Sequence, residues 1–195
     1  MDFIDILAVF IVLIVIISLC LNALQESKKT RIIIAYASAS GTAEYCAYTV
    51  YNILQIACKF NKFVIDKPNT LNELLSSYKK TSDREVIIII SSSIDAGFVP
   101  ANGSQFTLRN LRLKENVELN GALKRGRKLV IGLGDSVDWP GTYLHGPKSL
   151  IKIIKKACEL PETEVIPLVA LDDKFGHIVN CNSIIRECSA LIDAL

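Results

Sequence analysis

The run Glu85-Val-Ile-Ile-Ile-Ile-Ser91 constrains the fold more than any other feature of the chain. It is β-branched and apolar at consecutive positions rather than at alternate ones. A strand with one solvated face alternates, whereas a strand covered on both faces does not. The run therefore predicts a sheet between two helical layers, and such sheets are parallel because the helices sit in their crossovers. Other segments agree. Ile32–Tyr36 reads as a first strand, Phe63–Asp66 as a second, Lys128–Leu133 as a fourth and Glu164–Leu171 as a fifth. Helical patterns fall between them. Ala43 to about Lys59 has Tyr45, Tyr48, Tyr51 or Ile53, and Ile56 at helical spacing, and Leu71–Tyr78 follows a capping box of Thr70 and Glu73. Gly146–Cys158 places Leu150, Ile151, Ile154 and Cys158 on one side, and Cys181–Leu195 closes the chain. Strands alternating with helices define an α/β, doubly wound, five-stranded parallel sheet.

The first 30 residues have a different character. Ile6 to Leu21 is unbroken apolar sequence except for Ser18, extended by Phe3, Ile4, Ala23 and Leu24. At 1.5 Å per residue, residues 3–24 cover the ~27–30 Å of a thin bilayer. A cleavable signal peptide starts basic and ends at small residues. Here Asp2 and Asp5 precede the run, Lys28, Lys29 and Arg31 follow it, and Leu19-Cys20-Leu21-Asn22 is bulky. A retained N-terminal transmembrane helix is expected, then a linker over 25–30 and one domain over 31–195. The basic flank puts the N-terminus outside or in a lumen and the domain in the cytosol. The net charge of +2 gives no reason to expect nucleic acid as a partner. Lys79-Lys80, the Lys124–Lys128 stretch, and Lys152 with Lys155-Lys156 read as solvated surface. The six cysteines lack zinc spacing and, in a cytosolic domain, are expected to be reduced. Asn102-Gly103-Ser104 is a glycosylation sequon that a cytosolic domain would not use.

Ligands of doubly wound sheets sit beyond the carboxyl ends of the strands, at the point where strand order reverses. Three loops should meet there. The first, Ser38-Ala39-Ser40-Gly41-Thr42-Ala43, offers hydroxyls, backbone N–H groups and a helix N-terminus to one spot, which suits a phosphate. It has neither the lysine of a P-loop nor the glycine spacing of a dinucleotide fold, and an ordinary capped helix start explains it equally well. The second runs from Ser91 to Asn102, followed by Phe106. The third is Gly132-Leu133-Gly134-Asp135-Ser136-Val137-Asp138-Trp139-Pro140-Gly141-Thr142-Tyr143.

Together these loops resemble the flavodoxin-like FMN-binding domain of the diflavin reductases, of the NADPH–cytochrome P-450 reductase type. The match lies at Ser38, Gly41, Thr42, Ala43 and Glu44, then at Gly132, Leu133, Gly134, Asp135 and Ser136, with Leu171-Asp172-Asp173 after the fifth strand. It covers nearly all of Arg31–Leu195, and a membrane anchor fits the microsomal members. The resemblance implies FMN as cofactor. Its phosphate would lie on Ser38–Ala43, its ring between Ile94 and Trp139 or Tyr143, and its edge against backbone of Ser92, Ser93, Asp95, Gly97, Leu133, Gly134, Asp135, Ser136 and Asp138. Asp172 or Asp173 would influence the charge of the reduced ring. The family stacks aromatic residues on the flavin, where this chain has Ile94 and Asp138, and the third loop is one residue longer. The family's acidic second loop is Asp95-Ala96-Gly97-Phe98-Val99 here, whose Phe98 and Val99 must pack inward or form a contact surface. The flavodoxin domain of the tRNA wybutosine-synthesis enzymes, which tolerates a longer third loop, is a further relative in pattern, without its iron–sulfur cysteines.

The resemblance also implies what is missing, since the FAD and NADPH domains of the diflavin reductases have no counterpart here. The expected function is that of a membrane-anchored carrier in the endoplasmic reticulum, passing single electrons from a separate NAD(P)H-dependent flavin reductase to an acceptor such as a haem protein. It is the electron-transfer component of an oxidoreductase system rather than a complete enzyme, and no catalytic residue is assigned. The alternative is a flavin-free domain of the same fold acting as a membrane-tethered interaction module.

Overall fold

A computed structural model describes residues 29–57, 63–93, 98–104, 110–137 and 140–172, together with 186 and 190. The transmembrane run 3–24 and the closing helix 181–195 lie outside the described residues, as do Cys20, Cys181 and Cys188. Among the described residues no helix is long and apolar enough to cross a membrane.

The expected strands form one parallel sheet. β1 (Thr30–Ala37) lies between β2 (Phe63–Ile65) and β4 (Glu85–Ser92), followed outward by β5 (Arg127–Gly134) and β6 (Leu168–Asp172), in the order β2-β1-β4-β5-β6. β3 (Asn69–Thr70) adds a two-residue parallel bridge to Ala35 and Tyr36 of β1. β6 starts later than the expected Glu164 because Pro167 has no N–H to donate, although its carbonyl accepts the Val130 N–H at 2.9 Å.

Ile87, Ile88, Ile89 and Ile90 of β4 are each at most 1 % exposed, so both faces of this strand are covered. Each contributes about 1.5–3 kcal/mol by burial. On one face Ile87 and Ile89 meet α2 (Leu71–Ser77), α4 (Val117–Arg125) and α5 (His145–Ala157). On the other, Ile88 and Ile90 meet α1 (Thr42–Ala57). The capping box of α2 is present, with Thr70 Oγ1 accepting the Glu73 N–H at 3.1 Å and Glu73 Oε2 accepting the Thr70 N–H at 2.8 Å.

Two features go beyond the expectations and a third corrects one. First, α1 buries Ala43, Cys46, Ala47, Val50 and Leu54, while Tyr45, Tyr48 and Ile56 are exposed. Small residues let this helix approach the broad isoleucine surface, so the larger tyrosines fall on the outer side. Second, the described chain ahead of β5 forms two helices, α3 (Asn110–Glu115) and α4. Asn116 Oδ1 caps α4 by accepting the Leu119 N–H at 2.9 Å. Third, Lys128 is buried, its ammonium donating to Leu123 O and pairing with Glu164 Oε1, both at 2.7 Å.

Cys46 and Cys158 are buried, and neither is in a disulfide. Burial pushes the Cys158 thiol up to about 11, against the opposing pull of Lys128 and Lys124. Alkylation of Cys158 by iodoacetamide at pH 8 should be at least about a hundredfold slower than that of free cysteine, because so little thiolate is present. Peptide mapping after timed labelling measures this, and rapid labelling of folded protein would contradict the burial.

Candidate functional site

The strand register gathers the predicted loops at one edge. Ala37 at the end of β1 is opposite Ser91 of β4. Ser91 and Ser92 are opposite Gly132 and Leu133 of β5, and Gly134 is opposite Asp172 of β6. The sheet order reverses between β1 and β4, so the first and second loops leave the sheet side by side at the switch point.

The first loop is built by a short set of hydrogen bonds. The Ser38 N–H donates to Asn102 Oδ1 at 2.9 Å, and Ser38 Oγ accepts the Ala43 N–H at 3.1 Å. The Ser40 and Thr42 hydroxyls are 3.1 Å apart and exposed. Gly41 has φ +88°, a left-handed conformation that glycine adopts without strain. A Cβ added there would meet nothing within 4 Å. The Gly41 carbonyl accepts the Tyr45 N–H at 2.8 Å and starts α1. The amides of Ala39, Ser40, Gly41 and Thr42 meet no acceptor among the described residues. These exposed N–H groups, the open space beside Gly41 and the positive end of a 16-residue helix form a cradle suited to a phosphate. Ala43 is fully buried and its amide is committed to Ser38, so the amides left without an acceptor among the described residues are those of residues 39–42.

Asn102 was not among the expected site residues. It lies in a 3-10 turn, Ala101–Gly103, that seats on the end of β1. A Cβ on Gly103 would come within 2.7 Å of the Ala37 Cβ and 2.9 Å of Val99 Cγ1. The sequon thus has a packing role, with Gly103 permitting close approach and Asn102 bracing the first loop. Only the Asn-Gly pair hinted at this in the sequence, and spacing gave no link to Ser38.

In the second loop, Ser93 Oγ accepts the Gly146 N–H at 3.0 Å, tying the loop to α5. Ser92 is part-buried, and its carbonyl would lie 3.0 Å from a Cβ on Gly146. Val99 packs inward, whereas Phe98 is 67 % exposed. Ile94, Asp95 and Gly97 lie outside the described residues, as do Asp138, Trp139 and Asp173.

The third loop closes on itself. A Cβ on Gly132 would meet Leu144 and Pro147 within 3 Å, and one on Gly134 would be 2.9 Å from the Tyr143 ring. Tyr143 thus lays its ring against Gly134, and its phenol is raised first by burial and then by the Asp172 carboxylate. Asp135 Oδ1 accepts the Val137 N–H at 2.7 Å, forming the turn. Ser136 donates its hydroxyl to Asp172 Oδ2 and its N–H to Asp172 Oδ1. Asp172, buried at the end of β6, therefore anchors this loop. Among the described residues no cluster of His, Cys, Asp or Glu could hold a metal.

This architecture is the flavodoxin-like fold. A cysteine-substituted mutant of flavodoxin from Pseudomonas aeruginosa aligns with TM-score 0.57 and 20% identity, over 84% of this chain and 99% of that one. Flavodoxin 1 from Bacillus cereus aligns at 0.53 and 14%, over 85% and 99%. Fusobacterium nucleatum flavodoxin bound to flavin mononucleotide aligns at 0.54 and 15%, over 82% and 97%. No family model matches the sequence, and no curated protein does.

Proposed function

We propose that this chain is a flavodoxin-like electron carrier that takes FMN by its phosphate on the loop between β1 and α1. The observation that carries this reading is the set of amides at residues 39–42 that have no partner among the described residues, grouped at the switch point around a left-handed Gly41. A flavodoxin of the same fold is itself bound to flavin mononucleotide. The Ser40 and Thr42 hydroxyls would add donors to the amides, while Ser38 and Asn102 hold the loop in shape. Ile94, Asp95, Gly97, Asp138, Trp139 and Asp173 remain the candidates around the ring. When bound, FMN supplies one-electron redox chemistry. The chain supplies binding, orientation and shielding from water. The electron donor is then a separate NAD(P)H-dependent flavin reductase and the acceptor a redox protein such as a haem protein. Residues 3–24 tether the domain to the cytosolic side of a membrane, placed in the endoplasmic reticulum.

The test is the visible spectrum of the full chain in neutral detergent. Oxidised-flavin bands that survive gel filtration, natively or after incubation with FMN, support the proposal. A colourless protein that takes up no FMN overturns it. That outcome leaves the flavin-free interaction module, a reading favoured by the exposure of Phe98 in the second loop.

A further inference from the structure

The outer side of α5 carries Lys148, Lys152, Lys155 and Lys156, and the helix has no acidic residue. Lys148, Lys152 and Lys155 recur at i, i+4 and i+7, so they share one face. With Phe98, Ile151 and Glu162 they line a groove of about 610 Å³. The Lys155 ammonium donates to the Glu162 carbonyl at 3.0 Å. Lys148 and Lys152 make no ion pair or hydrogen bond among the described residues. The Phe98 backbone lies against the start of α5, its carbonyl 3.2 Å from where a Cβ on Gly146 would stand, and its side chain is exposed. A large exposed aromatic side chain thus lies beside two lysines, Lys148 and Lys152, that pair with no carboxylate among the described residues.

We propose that this groove docks an acidic protein segment, with an apolar side chain of the partner against Phe98 and Ile151 and flanking carboxylates on Lys148 and Lys152. Charge complementarity selects the partner, since like-charged lysines at i, i+4 destabilise one another until an anion lies across them. An exposed aromatic that a partner's apolar side chain covers and desolvates on binding is the kind of residue on which a hot spot forms. Concavity favours an inserted side chain over a bilayer, because a flat surface does not reach into a groove. The site adjoins the second loop through the Ser93–Gly146 hydrogen bond. Its recognition depends on charge and shape alone and does not require a bound cofactor.

The experiment uses the full chain in neutral detergent and a fluorescein-labelled peptide of interspersed Glu and Leu. Anisotropy should show binding that weakens steeply as salt approaches about 0.15 M. Lys148→Glu with Lys152→Glu should weaken it by roughly tenfold or more, and Phe98→Ser by roughly tenfold. The same charge-reversed pair should bind a Lys/Leu peptide that the unaltered chain rejects. Lys124→Glu with Arg127→Glu, an equal change of net charge elsewhere on the exposed surface, should leave binding unchanged. All four residues altered on the α5 and control faces are exposed, and circular dichroism verifies folding. Failure to bind the acidic peptide overturns the proposal, as does an equal loss in the control pair. Binding to phosphatidylserine vesicles through Lys148 and Lys152 without peptide binding also overturns it, in favour of a membrane surface.

Discussion

Gly41→Val should reduce FMN affinity by at least about a hundredfold while leaving the fold intact. The argument turns on backbone conformation rather than crowding. A side chain at residue 41 meets nothing within 4 Å, but φ is +88° and a β-branched residue does not adopt that angle without strain. The strain, about 1–3 kcal/mol, is relieved by moving the loop, and the amides of residues 39–42 then no longer converge. Each charge-assisted hydrogen bond lost contributes about 1.5–3 kcal/mol, so two losses alone reach a hundredfold or more. Gly41→Asn separates this cause from bulk, because asparagine tolerates positive φ and should retain most of the affinity. Thr42→Glu should also abolish uptake, by placing a carboxylate on an exposed position next to the phosphate. Fluorescence quenching titrations with FMN measure all three. Equal affinity for Gly41→Val and the unaltered chain would remove the phosphate from this loop.

The sequence exposed the sheet because β4 has no solvated face. Its consecutive isoleucines cannot be reconciled with a one-sided strand, and the two-layer architecture follows. The same simplicity hid α1's orientation. Its tyrosines are at helical spacing, but so are Ala43, Cys46, Ala47, Val50 and Leu54, and the sheet accepts the smaller set. Size, rather than hydrophobicity, decided which stripe turned inward. Helix α4 carries its own signal in the sequence, since Leu119, Ala122 and Leu123 form an i, i+3, i+4 set behind an Asn116 cap. A stretch of that length without secondary structure argues against itself in a compact domain.

The site divides in a similar way. Gly132, Gly134, Asp135 and Ser136 carry much of the resemblance to the reductase domain, yet each has a role inside the fold. The glycines make room for Leu144, Pro147 and Tyr143, Asp135 closes a turn, and Ser136 ties the loop to Asp172. Such a motif would persist in a chain of this fold whether or not it held a ligand. The first loop differs, because its amides at 39–42 serve no partner among the described residues. The evidence for an anion therefore rests there. Asn102, which braces that loop from 64 residues away, could not be read from spacing. Contacts of that range arise only once β1 and β4 are paired.

At the opposite edge of the sheet, Arg31→Met should destabilise the domain by about 3 kcal/mol. Arg31 donates to Asp66 Oδ2 at 2.8 Å and to the Lys79 carbonyl at 2.6 Å, and lies 3.4 Å from Glu85 Oε1. Its guanidinium sits 5.6 Å from the centre of the Tyr78 ring. The Glu85 side chain is only 4% exposed and accepts the Tyr78 hydroxyl at 2.5 Å. Burial, and next the hydrogen bond to Glu85, push the Tyr78 phenol well above its usual value. Tyr78 therefore remains a hydrogen-bond donor to Glu85. Arg31 and Glu85 are opposite each other in the β1–β4 register, so losing the arginine leaves a carboxylate enclosed between strands without its counter-charge. The penalty is the isolated charge rather than the missing contact, which gives a sharper expectation. Arg31→Met combined with Glu85→Gln should recover most of the loss, because the amide still accepts from Tyr78 and the one carboxylate left without its arginine is that of Asp66, which is part-exposed and solvated by water. Urea unfolding of the full chain in neutral detergent, followed by circular dichroism, should place the single variant about 1–2 M below the unaltered protein and the double variant well above the single. A single variant that loses under about 1 kcal/mol, or a double variant no better than the single, would show that water already solvates Glu85.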